Sequence, residues 1–248
     1  MNSKKYLLVI MPLYNAEDTV AQAIESILKQ TFKNLKLVIV DDASTDRSLE
    51  IAKTYLSDNR VSVYQNQINM GAYYSRNYGL FVSKDDSWTH FTTHDADDVS
   101  FVGRYKTILQ HMEKDSRING LQDIFDRIDT ETGKTVSSKL TMAHAVFRRD
   151  VFDAIGYFDN TRFGGDWEHW RRLKEFNLVS ESGKTHSMSK VMGESYIHDT
   201  NLTVTIPEGS PKRLRYIERS EKRISKLSRQ GNLRYEFVPE RGMTKGIL

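Results

Sequence analysis

Cysteine is absent from the 248 residues, which excludes disulfides and cysteine-ligated metals and fits a reducing compartment. No stretch approaches the roughly 18 consecutive apolar residues of a membrane-spanning helix. The apolar run from Tyr6 to Leu13 is short and enters the fold as a strand would, so it does not read as a signal peptide. No G-x-G-x-x-G follows it, which argues against a dinucleotide-dependent dehydrogenase. A Gly-rich basic loop for gripping a nucleoside triphosphate is also missing near the N-terminus, which counts against a nucleotidyltransferase. Internal repeats and low-complexity segments are lacking as well.

What is present is a globular composition, 38% hydrophobic and 28% charged, enough for one sizeable domain or a domain with an appendage. The net charge of +3 is unevenly placed. Residues 207–248 hold eleven Lys/Arg and five Asp/Glu, a balance of plus six, which leaves minus three on the other 206. The expected division is therefore a main body, 1–206, and a basic, partly helical C-terminal extension, 207–248.

Hydrophobic periodicity alternates between strand and helix. Tyr6 to Met11, Leu35 to Val40, Val61 to Tyr64 and His90 to Thr93 read as buried strands. Val20, Ile24, Ile27 and Leu28 recur at helical spacing after Asn15, a candidate N-cap. Further helices are expected over Gly71–Val82, Val102–Met112, Asp166–Phe176 and, punctuated by Pro207 and Pro211, over 212–229. Such alternation predicts an α/β fold with a mostly parallel sheet flanked by helices. Ligands of these sheets bind beyond the carboxyl ends of the strands. Polar clusters stand at those ends: Pro12-Leu13-Tyr14-Asn15, Asp41-Asp42, Asn69 with Gly71, and Asp95-Ala96-Asp97-Asp98.

Alternate residues of an extended segment face the same way, so Asp95 and Asp97 can share one site. Two clustered carboxylates repel unless a cation or a basic partner separates them, and a hard ion such as Mg²⁺ or Mn²⁺ bridges carboxylates to phosphates. The competing reading is a solvated acidic turn. Tyr14 can stack on a flat base, and Asp42 can accept from a base N–H or a ribose hydroxyl. Arg76 can meet a phosphate or pair with the Asp cluster. Asp166, beside Trp167 and Trp170, suits a general base if desolvated, and equally a helix start.

Taken together these segments resemble the family 2 glycosyltransferases, which have the GT-A (Rossmann-like) fold. Val9-Ile10-Met11-Pro12-Leu13-Tyr14-Asn15, Ile24 to Thr31 and Val40-Asp41-Asp42-Ala43-Ser44-Thr45-Asp46 match the family opening in order. Asn69-x-Gly71 with Arg76-Asn77, then Asp95-Ala96-Asp97-Asp98, resemble its next blocks. Gly165-Asp166-Trp167-Glu168 is similar to its acidic pair before a Trp, with Gly165 where the first acid usually stands. The resemblance implies a nucleotide pocket formed by Pro12, Tyr14, Asp42, Asn69, Arg76 and Asp95. It implies a divalent metal, Mn²⁺ or Mg²⁺, on Asp97 and Asp95, with His198 near the diphosphate or metal. Asp166 would be the catalytic base, with Glu168 the alternate. His94, usually apolar in the family, receives no role.

The implied activity is a single inverting displacement that moves a sugar from a nucleotide sugar, a UDP-sugar above others, to a hydroxyl of a glycan or glycoconjugate, as in polysaccharide biosynthesis. Two rivals are a nucleotidyltransferase on a related sheet and a binding module acting through the basic extension. A cytoplasmic location is expected. The extension's amphipathic helix is expected to pack on its own domain or a second subunit, with peripheral membrane contact the other possibility.

Overall fold

The first strand sets the layers. Leu7, Val9, Met11 and Leu13 point to one face and Leu8 and Ile10 to the other, and all six are buried in two separate clusters. A strand buried on both faces belongs at the centre of a sheet covered by helices on each side. The computed structural model describes residues 6–180, 183–197, 209–240 and 244–247.

The parallel half of the sheet contains β1 (Leu7–Leu13), β2 (Leu35–Asp41), β3 (Val61–Asn66) and β4 (His90–Thr93), ordered β3-β2-β1-β4. Beyond β4 the sheet continues through strands of mixed direction. These are β5 (Asp98–Ser100), β6 (Ile118–Asp129), β7 (Thr135–Leu140), β8 (Val146–Arg148) and β9 (Lys184–Ile197). The path runs β4-β8-β6-β9-β5, with β7 paired to β6. The antiparallel β8 next to β4 carries residues 144–148 to the edge of the parallel half.

One face is covered by α1 (Val20–Leu28), α2 (Ser48–Lys53) and α4 (Arg104–Lys114), which bury Ile24, Ala52 and Ile108. The other is covered by α3 (Ala72–Val82), α5 (Arg149–Ile155) and α6 (Gly165–Ser180), through Tyr74, Phe152 and Leu173. Each fully buried Leu or Ile contributes about 1.5–3 kcal/mol relative to exposure, so these stripes rather than the short helices' own propensity hold the layers.

Asn15 is not an N-cap. Helix α1 begins five residues later with Thr19 in the cap position. Asn15 takes a left-handed conformation, φ 45°, and its Oδ1 accepts from the Thr45 N–H at 2.8 Å, tying the loop after β1 to the loop after β2.

The C-terminal segment is built onto the second helical face. Helix α7 (Pro211–Arg229) starts on Ser210, whose hydroxyl accepts from Arg213 N, and has Pro211 in its first turn. Ile224 is buried, while Leu214 at the other end of the apolar stripe is 53% exposed. Arg223 pairs with Asp159 at 2.7 Å and Ser228 donates to Glu175 on α6. Leu233 and Phe237 then enter the core, and β10 (Thr244–Ile247) adds an antiparallel edge strand to β3.

Candidate active site

The carboxyl ends of β1 to β4 open into one cleft of about 1140 Å³. Pro12 and Tyr14 line it from the end of β1, Asp42 from β2 and Asn69 from the loop after β3. Arg76 reaches it from α3, Asp95 and Asp97 from the segment after β4, and Asp166 from the first turn of α6. These expected residues, spread over six segments, share one wall system. Tyr14 is half exposed, as a stacking surface must be.

Asp42 is 2% exposed and its carboxylate accepts from Asn66 Nδ2 and from the Met70 and Gly71 N–H groups, all at 2.7–2.8 Å. In the protein by itself it therefore closes the β3–α3 loop. Gly71 permits that closure with φ +94°, a conformation that costs any side-chain-bearing residue. Asn69 is held at the rim by Arg162, which also meets the Asn69 carbonyl.

Arg76 is buried and donates to Asp95, so the alternative of pairing with the Asp cluster is the one realised. Burial works against both charges. The Asp95 carboxylate, with Tyr73 and Asp166, nevertheless holds the guanidinium above its ordinary value, and Arg76 keeps Asp95 below its own. Burial first, then the charges of Asp98 and Asp95, push the Asp97 carboxyl up to about 8. A carboxylate so disfavoured is a place where a cation is stabilised.

His144 was not legible as a site residue. It arrives from the turn before β8, 46 residues from Asp98, and its Nε2 lies 2.5 Å from the Asp98 carboxylate. Its ring stacks on Phe125 at 4.6 Å. Burial opposes its charge, but Asp98 raises its pKa above the usual imidazole value. Among the described residues, Asp95, Asp98 and His144 are the group whose ligand atoms converge, all within 4.8 Å. Of the pair expected from alternation this group contains Asp95; its other two members are Asp98 and His144. His198, the other candidate ligand, lies outside the described residues. His94 is fully buried between Asp95 O and Ser100 Oγ, and burial holds it well below its usual pKa, hence neutral.

At the opposite wall Tyr73 donates to Asp166 Oδ1 at 2.5 Å. Burial, then the Asp166 charge, raise the Tyr73 pKa, so the phenol keeps its proton and remains a donor. The Arg76 guanidinium lies 4.8 Å over the same ring. Gly165 explains the departure from the family's acidic pair, because a Cβ there would stand 2.8 Å from Tyr73 Cδ1. Glu168, the alternate base, is fully buried and bound by Arg172 Nε at 2.9 Å. A second cavity of about 500 Å³ shares Asp95, Asp97 and Asp166 with the cleft and extends toward Phe125, His144 and Trp167.

A parallel half-sheet with acidic groups at its strand ends and a mixed half beyond them is the arrangement of the GT-A class of glycosyltransferase structures. TarS of Staphylococcus aureus, solved in complex with UDP-GlcNAc, superposes with a TM-score of 0.67 at 19% identity, covering 87% of this chain and 66% of that one. The mannosyltransferase PcManGT of Pyrobaculum calidifontis, solved with GDP-Man and Mn²⁺, gives 0.62 at 14% identity over 93% of this chain and 72% of its own.

The chain belongs to glycosyl transferase family 2, whose sequence signature matches residues 8–175. It is 40% identical over 116 residues to the putative glycosyltransferase EpsE of Bacillus subtilis, covering 46% of this chain and 41% of that protein. It is 32% identical over 126 residues to WfaP of Escherichia coli, a UDP-Glc:alpha-D-GlcNAc-diphosphoundecaprenol beta-1,3-glucosyltransferase, covering 46% and 49%. The chain thus spans under half the length of these curated relatives. Among the described residues no helix is long and apolar enough to cross a membrane.

Proposed function

We propose that this chain is the catalytic domain of an inverting, divalent-metal-dependent glycosyltransferase that uses a UDP-sugar and glycosylates a hydroxyl of a glycan or glycoconjugate. The observation that carries the proposal is the convergence of Tyr14, Asp42, Asn69, Arg76, Asp95, Asp97 and Asp166 on one cleft. UDP-bound and UDP-GlcNAc-bound structures of TarS, a fold neighbour, support the choice of base. The relative WfaP is named for a UDP-glucose donor.

The donor set fits a hard divalent ion. It offers carboxylate oxygens and one imidazole, and the raised Asp97 carboxyl gains from a neighbouring cation. Asp97 and Asp95, with Asp98 and His144 beside them, would hold it. When bound, the ion stabilises negative charge on the departing diphosphate.

The remaining work falls to the chain itself. Tyr14 offers its face to the base, and Asp42, by fixing the Met70–Gly71 turn, shapes the pocket wall. Asp166 takes the proton of the acceptor hydroxyl as that oxygen bonds to the anomeric carbon. The bond from that carbon to the phosphate oxygen breaks, and its electron pair leaves with the nucleoside diphosphate. Attack from the face opposite the leaving group inverts the centre. Tyr73 orients the base, and Arg76, stacked on Tyr73 and bonded to Asp95, links the base to the nucleotide side.

A panel of UDP-, GDP- and dTDP-sugars, assayed for metal-dependent hydrolysis and transfer, tests the reading. Turnover of a UDP-sugar that is abolished by chelation and restored by Mn²⁺ is expected. Pyrophosphate release from a nucleoside triphosphate instead would replace it with nucleotidyl transfer.

A further inference from the structure

Asp166 is the second residue of α6, so its place depends on the loop that starts that helix. Gly164 turns the chain into α6 with φ +73°, and its carbonyl accepts from the Glu168 N–H at 3.0 Å. The loop before it is bonded within itself. The Thr161 N–H donates to the Asp159 carbonyl at 2.8 Å, and the Thr161 hydroxyl to the Phe163 carbonyl at 3.2 Å. Fixing Asp159 therefore fixes the approach to Gly164.

On the nucleotide side this loop is tied down by Arg162, through Asn69. On the other side it is held by α7. Three donors from α7 converge on the Asp159 carboxylate: the Tyr216 hydroxyl at 2.9 Å and Arg223 Nη2 at 2.7 Å on Oδ2, and Arg223 Nη1 at 3.3 Å on Oδ1. Burial, then the Asp159 charge, raise the Tyr216 pKa, so the phenol stays a donor. The Tyr216 ring also lies against the turn itself. A Cβ on Gly164 would stand 3.0 Å from Tyr216 Cε1, and the Phe163 ring meets Tyr216 edge-on at 5.3 Å. Arg223 stands 3.7 Å from Glu168 as well, although that carboxylate is already bonded to Arg172. Helix α7 lies outside the family-matched residues 8–175, and neither Tyr216 nor Arg223 lines the nucleotide cleft.

We propose that Tyr216 and Arg223 are positioning residues: through Asp159 and Gly164 they set the place at which α6 presents Asp166 to the acceptor hydroxyl. The inference rests on the transferase reading with Asp166 as base. A misplacement of about 1 Å caused away from the chemistry can cost about 10²-fold in rate, so loosening this clamp should lower kcat while donor binding is kept.

The test measures UDP release by the whole chain with Mn²⁺, from the UDP-sugar that the donor panel shows to be turned over. Water and p-nitrophenyl N-acetylglucosaminide serve as nucleophiles. Tyr216→Phe keeps the ring against Gly164 and removes only the hydroxyl, and Tyr216→Phe/Arg223→Gln frees Asp159 of all three donors. The double variant should lose about tenfold or more in kcat, with donor KM and UDP affinity within about twofold of wild type. Lys222→Gln, on the same helix in an exposed pair with Glu218, should match wild type. The same substitutions are then made in the Asp166→Asn protein. Residues that act through the base should cost nothing further there, whereas a loss of folded protein lowers both backgrounds by the same factor. Equal factors in the two backgrounds, an unchanged kcat in the double variant, or a loss confined to KM or UDP affinity would each overturn the inference. If the double variant melts below the assay temperature, Tyr216→Phe alone carries the same comparison. A wild type that turns over no UDP-sugar removes the transferase reading, and this one with it; an active wild type matched by an equally active double variant removes only the positioning role.

Discussion

Replacing Asp166 by Asn isolates the proposed base. The substitution keeps the side chain's shape, and the amide oxygen can still accept from the Tyr73 hydroxyl that now lies 2.5 Å from Oδ1. Fold, donor pocket and orientation are therefore retained, and only the ability to take a proton is lost. General-base catalysis is worth about 10²–10⁴ in rate, so kcat should fall by roughly that factor, about 3–5 kcal/mol of barrier. The UDP dissociation constant should stay within a few-fold of wild type. Glu168→Gln supplies the contrast. It neutralises one half of an ion pair whose partners are both fully buried and leaves the Arg172 charge uncompensated. Breaking such a pair costs about 3–5 kcal/mol of stability. That variant should lose thermal stability, while whatever folds should retain turnover. The assay is transfer under saturating donor and acceptor, paired with calorimetric UDP binding and thermal melting. Asp166→Asn turning over like wild type, or Glu168→Gln melting normally with kcat abolished, would refute the assignment.

Tyr73→Phe removes the bond that orients Asp166 and should lower kcat about tenfold with little change in UDP affinity, read by the same transfer assay. Asp42→Asn places an amide donor among three donors and should cost about 1–3 kcal/mol of stability and weaken UDP binding, checked by melting and calorimetry. Arg104→Ala strands the fully buried Asp123 carboxylate, now held at 2.7 and 3.1 Å, and should destabilise the fold by about 3–5 kcal/mol in urea unfolding. The Asp97 carboxyl, raised to about 8, lies above the unfolded value of about 4. Its protonation therefore supports the metal-free fold at low pH, and that support is lost as pH rises through 8. A divalent ion competes with the proton, so the melting shift caused by Mn²⁺ should be larger at pH 8 than at pH 6, and equal shifts would contradict this.

Much of the fold was legible because its signals are local. Leu7 to Leu13 alternates between two apolar clusters, and α3, α6 and α7 fall within a few residues of the helices their periodicity implies. The strand-end residues were legible for the same reason: once a parallel sheet is expected, its carboxyl rim collects Tyr14, Asp42 and Asp97. Asn15 failed as a cap because an inter-loop bond to Thr45, 30 residues away, overrode its local preference.

The sequence by itself determined the element order of the parallel half, the acidic rim and the membership in a glycosyltransferase family. Only the tertiary structure joined His144 to Asp98, seated Tyr73 against Asp166 and removed Glu168 into an ion pair. The first two of those contacts join separate elements, with partners 46 and 93 residues apart. Spacing along the chain carries no signal of that pairing. Sheet order and the helices packed against the sheet decide it.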